Sequence, residues 1–447
     1  MARREGRQHV PLSYRVLQGW ARTAISVVYR RVTVTSASRL PSDRPVILAA
    51  NHGNALADVA VVITAMPDFP HFLAAASWWK SAPARVLFRL GGVVPIHRRR
   101  DGEDTRQNMS AFEACNAALA SGAQIAIFPE GEMHLEPALM PLKTGVARIA
   151  LGAAAEAGLE SVVIVPVGLV YEDRGRFRSD AEIHFGEPLA IVDWLDEYRL
   201  DPTKAVHGVT DLLADRLARV TVNHGSSEEA ALLHRTAAYA LADEPDANDG
   251  RQFARRNAVR RKLASSVALA GGESSTDYRE LAAAVAVHEH DLQRLGIRHA
   301  SAVPLGDMSA EDRIALEAQL VALALPAALG LIANGPMLLG VWIASRRVRN
   351  EAWQMTTKGV GGTLLSPIVW ALEFAFLSRR LGRRRALALT TAGAIAGLAS
   401  LEWRERFLHW RQSVRRVNGG ERRDALDEAR ASRNTVRQRV TALVGTL

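Results

Sequence analysis

A layered α/β domain followed by an α-helical, partly hydrophobic C-terminal region is the fold class the sequence predicts. Three observations carry it: short β-rich runs alternate with helical ones from residue 31 to about 188, strand-like text stops beyond about 200, and uncharged apolar stretches fill the final third. At 447 residues the chain exceeds what one hydrophobic core organises, so several domains are expected. The composition shifts divide it into an N-terminal amphipathic helix (1–30), an α/β domain (31–200), a helical region (201–310), hydrophobic helices (311–405) and a polar C-terminal helix (406–447).

The N-terminal stretch lacks the uninterrupted apolar core and small-residue cleavage site of a secretory signal. Leu12, Val16, Trp20, Ile25, Val28 and Tyr29 instead recur as one face of a helix flanked by arginines. Packing on the protein and contact with a membrane are both open for that face. The strands expected are 31–36, 45–50, 71–76, 91–96, 124–129, 162–171 and 181–186, with helices at 54–65, 107–120 and 144–157 punctuated by Gly or Pro. Beyond 200, helical text rich in Ala, Leu, Arg and Glu breaks at 224–227, 242–250 and 270–275.

The stretch 318–345 carries no charge and is longer than the ~20 residues that span a bilayer core. Pro326, Asn334, Gly335 and Pro336 interrupt it, so a hairpin of two short helices stands beside a single span. The runs 363–378 and 386–401 read as short or broken for a full crossing. Basic clusters at 346–349 and 379–385 follow the first two stretches, which favours a cytoplasmic membrane face with anionic lipid; a buried helical core with solvated arginine ends is the alternative.

The formal charge of +9, from 56 basic and 47 acidic residues, favours anionic partners. Nucleic acid is not among those expected, because the arginine runs come without aromatic interleaving or zinc-type spacing. The single cysteine, Cys115, excludes an intramolecular disulfide and fits a reducing compartment.

The chemistry concentrates in VILAANHGNALADVAVV, residues 46–62. Polar groups at the end of a buried strand are costly unless satisfied or used. With Asn54 as the cap of the next helix and His52 ahead of it, Asp58 in the first turn can hold one imidazole nitrogen while the other takes a proton from a hydroxyl. The bland reading is a strand-end histidine and an aspartate complementing the helix dipole. Two other histidine groups carry less: VNHGSS (222–227) repeats Asn-His-Gly without an aspartate at the matching place and reads as a loop, while HEHD (288–291) lacks metal spacing and reads as a solvated helix face.

Further blocks follow NHGNALAD in order: GVVPIHR (92–98), FPEGEMH (128–134) and IVPVGL (164–169). This order resembles the glycerol-3-phosphate and lysophosphatidate O-acyltransferase family. Five residues rather than the common four separate His52 from Asp58, and Glu132 and Met133 stand where many members have Thr-Arg. These departures, with EPALMPLKTGVARIAL (136–151), the RFRS run (176–179) and FGEPL, resemble the yeast-type glycerol-3-phosphate acyltransferase branch and its bacterial relatives.

The resemblance implies that 31–200 is a catalytic domain that moves an acyl group from acyl-CoA or acyl carrier protein to a phosphorylated glycerol acceptor in phospholipid synthesis. His52 would be the general base and Asp58 its orienting partner. Arg98 would hold the acceptor phosphate, since a guanidinium binds phosphate oxygens in a fork. Phe128, Pro129, Glu130 and Gly131 would shape the acceptor site, the glycine by close backbone approach; for Glu130 an ion pair with an arginine is the alternative. His134 would either donate to the phosphate or cap a turn. With Met133 in the arginine's place, Lys143, or else Arg148 or Arg178, would supply the missing cation. No cofactor and no metal are implied, and membrane lipids are the expected surroundings.

Overall fold

The structure is a computed structural model that describes residues 11–67, 70–97, 108–242, 250–295, 310–349, 351–414 and 420–445. It divides into two compact units, one running up to Ala230 and including Phe253–Ala264, the other comprising Ala231–Gln252 and the chain from Ser265 onward.

The first unit is built on an eight-stranded sheet. Its strands are β1 (Arg31–Thr35), β2 (Val46–Ala50), β3 (His71–Ala75), β4 (Val94–Ile96), β5 (Ile125–Ile127), β6 (Val163–Tyr171), β7 (Asp180–Phe185) and β8 (Leu189–Ala190). They lie in the order β1-β7-β6-β2-β5-β3-β4, with β8 beside β6. β6, β2, β5, β3 and β4 run parallel to their neighbours along that path, β7 is antiparallel to β6, and β1 is parallel to β7. Every residue of β2 is buried, as expected for a parallel strand covered on both faces.

On one face, Ile47, Ala49, Ile125 and Ile164 form a core with α4 (Asn108–Ala120), α5 (Gly145–Ala155) and α7 (Pro202–Val220). Asp201 caps α7 by accepting from the amides of Thr203 and Lys204, and Pro202 occupies its first turn, where a missing N–H costs nothing. The expected strands and helices are all present, and β8, α3 (Ala82–Leu90) and α6 (Leu195–Leu200) are additions. A two-residue strand has no periodicity to read, and the α3 text is interrupted by Pro83, which sits at the start of the helix.

Cys115 is fully buried on α4, and burial pushes its thiol up to about 12. Native protein should therefore take up no N-ethylmaleimide over the time in which urea-unfolded protein takes up one equivalent, the rate reporting how often α4 opens. Labelling of the native protein at the unfolded rate would contradict this packing.

The N-terminal helix α1 (Leu12–Val28) divides its apolar face. Ala21, Ala24, Ile25, Val28 and Tyr29 are buried, and the helix packs on α2 (Ala55–Ala65), with Gln18 and Arg22 donating to the Met66 carbonyl. Leu12 and Val16, 74% and 61% exposed, lie on the part left uncovered. Packing on the protein therefore accounts for the C-terminal half of the face only.

The second unit is helical. α10 (Thr276–Arg294) pairs with α14 (Gly420–Val444), and α11 (Ala310–Arg347), α12 (Glu351–Leu381) and α13 (Arg383–Val414) pack on one another. The hairpin reading of 318–345 is overturned: α11 runs through Pro326 and Pro336 as one helix. Asn334 does not break it, because its amide group donates to the carbonyls of Gly330 and of Gly393 on α13 and accepts from the Trp370 indole of α12. Neighbouring helices thus satisfy the polar group. The runs 363–378 and 386–401, read as short or broken, lie inside continuous helices, and α13 continues past 405 to Val414. Among the described residues, three helices are long and apolar enough to cross a membrane.

HEHD is corrected in part: His290 is exposed, as expected of a solvated face, and His288 is not. His288 is fully buried, bonded through Nδ1 to Ser432 of α14 and edge-on to Tyr239, rather than on a solvated face. VNHGSS is a loop, as expected, in which the Ser226 hydroxyl accepts from the Glu229 amide to start α8 (Ser227–Ala240).

Candidate active site

The site is assembled at the carboxyl ends of β2, β5 and β6, where open parallel sheets place their ligands. β2 stops at Ala50, opposite Val167, while β6 continues to Tyr171. Asn51 bridges the difference: its side-chain amide donates to the Leu169 carbonyl (3.1 Å) and its oxygen accepts from the Leu169 amide (2.7 Å). The side chain extends the ladder after the backbone has turned away, so both polar groups of Leu169 stay paired.

The turn that follows swings His52 back over α2. Ala55, φ 46°, takes a left-handed conformation unusual for a residue with a Cβ, and the chain then enters the helix. Asn54 stands at the cap position as expected, but its side chain does not cap: Nδ2 donates to the Tyr29 hydroxyl at 2.8 Å. Asp58 supplies the missing acceptor. Its Oδ2 accepts from the amides of Gly53 (2.9 Å) and Asn54 (2.7 Å) and from His52 Nδ1 (2.8 Å), and its Oδ1 accepts from the Tyr171 hydroxyl (2.5 Å). The carboxylate is wholly buried, and four donors face it.

The imidazole is fixed on two sides. It stacks on Phe128, with ring centroids 4.1 Å apart, and its side chain is 19% exposed while that of Asp58 is 0%. With the proton on Nδ1 given to Asp58, Nε2 is left as the acceptor. Both tyrosines that back the carboxylate are held protonated: burial first, then the charge of Asp58, raises Tyr171 and Tyr29 well above the ordinary phenol range.

FPEG forms the opposite wall. The turn is closed by Gly131 N–H donating to the Phe128 carbonyl, and Gly131 has φ 73°, where a Cβ would also stand 3.1 Å from Lys143 Cγ. Pro129 is buried, and its carbonyl accepts from the Lys143 amide at 2.7 Å. Glu130 is buried with its oxygens turned to the protein: Oε1 accepts from the His52 amide (2.9 Å), and Oε2 accepts from the Met140 amide (3.0 Å) and His134 Nε2. The His134 amide in turn donates to the His52 carbonyl at 3.3 Å. His134 Nδ1 is buried and has no partner among the described residues.

The structure thus brings His52, Asp58, Phe128, Pro129, Glu130, Gly131 and His134 together, with the side chain of Lys143, an exposed residue, beside Gly131. Arg98 lies outside the described residues. Arg148 is exposed and bonds to Thr144, and Arg178 donates to the carbonyls of Ser26 and Tyr29 at the end of α1. Tyr171 and Arg174 join the site without having been singled out from the sequence, and Tyr29, read there only as part of an apolar helix face, joins it too. The only signal for Tyr171 is a polar-tipped aromatic ending a strand that is otherwise buried.

A buried carboxylate thus orients a histidine whose Nε2 can take a proton, beside a second loop whose Glu130 holds the histidine's own backbone amide. Residues 31–170 match the family described as Acyltransferase. Over 117 residues the chain is 37% identical to glycerol-3-phosphate O-acyltransferase 2 of Saccharomyces cerevisiae, which covers 26% of this chain and 16% of the yeast protein. Over 159 residues it is 28% identical to 1-acyl-sn-glycerol-3-phosphate acyltransferase alpha of Mus musculus, covering 35% and 51% of the two chains. The crystal structure of PlsC, the 1-acyl-sn-glycerophosphate acyltransferase of Thermotoga maritima, is similar at 18% identity and a TM-score of 0.32, over 44% of this chain and 79% of that one.

Proposed function

We propose that the protein is a membrane-associated O-acyltransferase that transfers a fatty acyl group from acyl-CoA or acyl carrier protein to a hydroxyl of glycerol-3-phosphate or lysophosphatidate. The observation that carries this reading is the His52 imidazole, tied through Nδ1 to a buried, four-times-bonded Asp58. Nε2 takes the proton of the acceptor hydroxyl as its oxygen attacks the thioester carbonyl. A carbon–oxygen bond forms, the carbon–sulfur bond breaks, and the proton passes to the departing thiolate. No acyl-enzyme is required, because the acceptor is itself the nucleophile. Asp58 stabilises the imidazolium in between and stays ionised.

Among the described residues, three helices long and apolar enough to cross a bilayer support a membrane location, and Arg346, Arg347, Arg379, Arg380 and Arg383 to Arg385 near their ends suit anionic headgroups. Acyl chains are poorly soluble in water, and a membrane-bound enzyme meets its lipid product where it belongs.

The test is thiol release from palmitoyl-CoA by the purified full chain in detergent, with glycerol-3-phosphate, lysophosphatidate or no acceptor, beside His52→Ala. Acceptor-dependent release, lost by at least ~10²-fold in the variant, is expected. Release with a lysolipid or glycolipid lacking the phosphate, and with neither phosphorylated acceptor, would reassign the acceptor. Release that His52→Ala leaves unchanged would overturn the mechanism.

A further inference from the structure

The loop between β6 and β7 holds three arginines, and two of them are occupied. Arg176 pairs with Glu172 at 2.7 Å, and Arg178 holds the end of α1. Arg174 differs. Asp173 Oδ1 accepts from the amides of Gly175 (2.9 Å) and Arg176 (3.1 Å), a tight local turn that fixes the loop on either side of Arg174. Its half-buried side chain makes no hydrogen bond and no ion pair among the described residues.

The guanidinium lies over Gly53. A Cβ at that position would stand 3.1 Å from its Cζ, 3.2 Å from one terminal nitrogen and 3.4 Å from the other. Gly53 does not have a positive φ, so its backbone conformation does not call for glycine. What the missing side chain provides is room for a cation, one residue from His52 and beside the amide that Asp58 holds. Further positive charge stands nearby: Arg260 of α9 (Gly250–Leu269) is buried, its Nε has no partner among the described residues, and burial, then Arg261 and Arg174, lower its guanidinium to about 10 against the opposing pull of Glu182. The carboxylates around it are taken by other donors: Asp58 has four, Asp173 holds the Gly175 and Arg176 amides, and Glu172 holds Arg176 and the Asp180 amide.

We propose that Arg174 binds the phosphate of the acceptor, with Gly53 kept free of a side chain to admit the guanidinium. The inference rests on the acyl-transfer reading. A planar fork of N–H donors matches phosphate oxygens, and in a glycerol phosphate only the three-carbon backbone separates that group from a hydroxyl that His52 must reach. A cation placed one residue from the base therefore sets which hydroxyl presents itself. Phosphate groups are also carried by the CoA donor, so the experiment separates the two sources.

The full chain in detergent is assayed as wild type, Arg174→Ala and Arg174→Lys, varying glycerol-3-phosphate, or lysophosphatidate if that is the acceptor used, at fixed palmitoyl-CoA and the reverse. Arg174→Ala is expected to raise KM for the acceptor by about tenfold or more, to leave KM for palmitoyl-CoA within about twofold, and to change kcat little; Arg174→Lys, a point charge without the fork, should recover part of the loss. Inorganic phosphate should inhibit wild type competitively with the acceptor and inhibit Arg174→Ala about tenfold more weakly. A thermal-shift arm needs no turnover: glycerol-3-phosphate, unlike glycerol, should raise the melting temperature of wild type and not of Arg174→Ala. An unchanged acceptor KM with an unchanged thermal shift overturns the assignment, and a change confined to palmitoyl-CoA moves Arg174 to the donor. A wild type that shows the phosphate-dependent shift but transfers no acyl group defeats the acyl-transfer reading while leaving the phosphate site standing.

Discussion

Asp58→Asn is expected to lower kcat by ~10² to 10⁴ while leaving the acceptor KM within a few-fold. The amide is nearly isosteric, so the fold of the NHG turn can persist. Its oxygen can still accept from the Gly53 and Asn54 amides and from His52 Nδ1, while its NH₂ faces a Tyr171 hydroxyl that must turn from donor to acceptor. What disappears is the negative charge that stabilises the imidazolium formed when Nε2 takes a proton. Tyr171→Phe removes only the donor to Oδ1 and keeps the charge, so its loss should be smaller by at least ~10-fold, an outcome that steady-state kinetics on the pair will show. Equal losses in the two variants would mean that Asp58 acts through the shape of the turn and not through charge.

Glu130→Ala should cost both stability and rate. The carboxylate is the acceptor for the His52 and Met140 amides and for His134 Nε2, all inside the protein. Truncation leaves buried donors unpaired at about 1–3 kcal/mol each, so a fall in melting temperature of several degrees is expected. It also frees the backbone of the base, and kcat should fall by at least ~10²-fold in protein that still melts cooperatively. Glu130→Gln keeps one acceptor but turns an NH₂ toward another donor, and should lie between the two. A Glu130→Ala enzyme with native stability and a raised acceptor KM alone would instead place the carboxylate in contact with substrate.

Most of the α/β domain was legible because its signals are local. β-rich runs bounded by turn residues marked seven strands, and the pairing of His52 with Asp58 followed from putting the histidine ahead of the helix. What the text did not show depends on tertiary placement. Asn54 reads as a cap from its position, yet a tyrosine twenty-five residues earlier takes its amide. Glu130 was open between an arginine partner and the acceptor site, and its donors are a histidine and two backbone amides brought in by separate loops. The prolines and Asn334 of α11 read as breaks because nothing in a single segment announces that neighbouring helices will satisfy it. Arg174 was hidden among the arginines of its loop, and only contact with Gly53 separates it from them.

The sheet order has a consequence for how the chain becomes active during synthesis. β1, among the first described segments to leave the ribosome, has β7 as its neighbour in the sheet, with Arg31 set against Asp180. The Arg30 amide likewise waits for the Ser179 carbonyl, and the end of α1 waits for Arg178. Such long-range closure is a late event in folding. Tyr29, which takes the amide of Asn54, lies at the end of α1 that this closure ties down, and Tyr171, which donates to Asp58, arrives only when β6 pairs with β2. A nascent chain that has emerged only through the FPEG loop therefore carries the motif residues without the network that orients the base, and acquires it when the edge of the sheet is sealed.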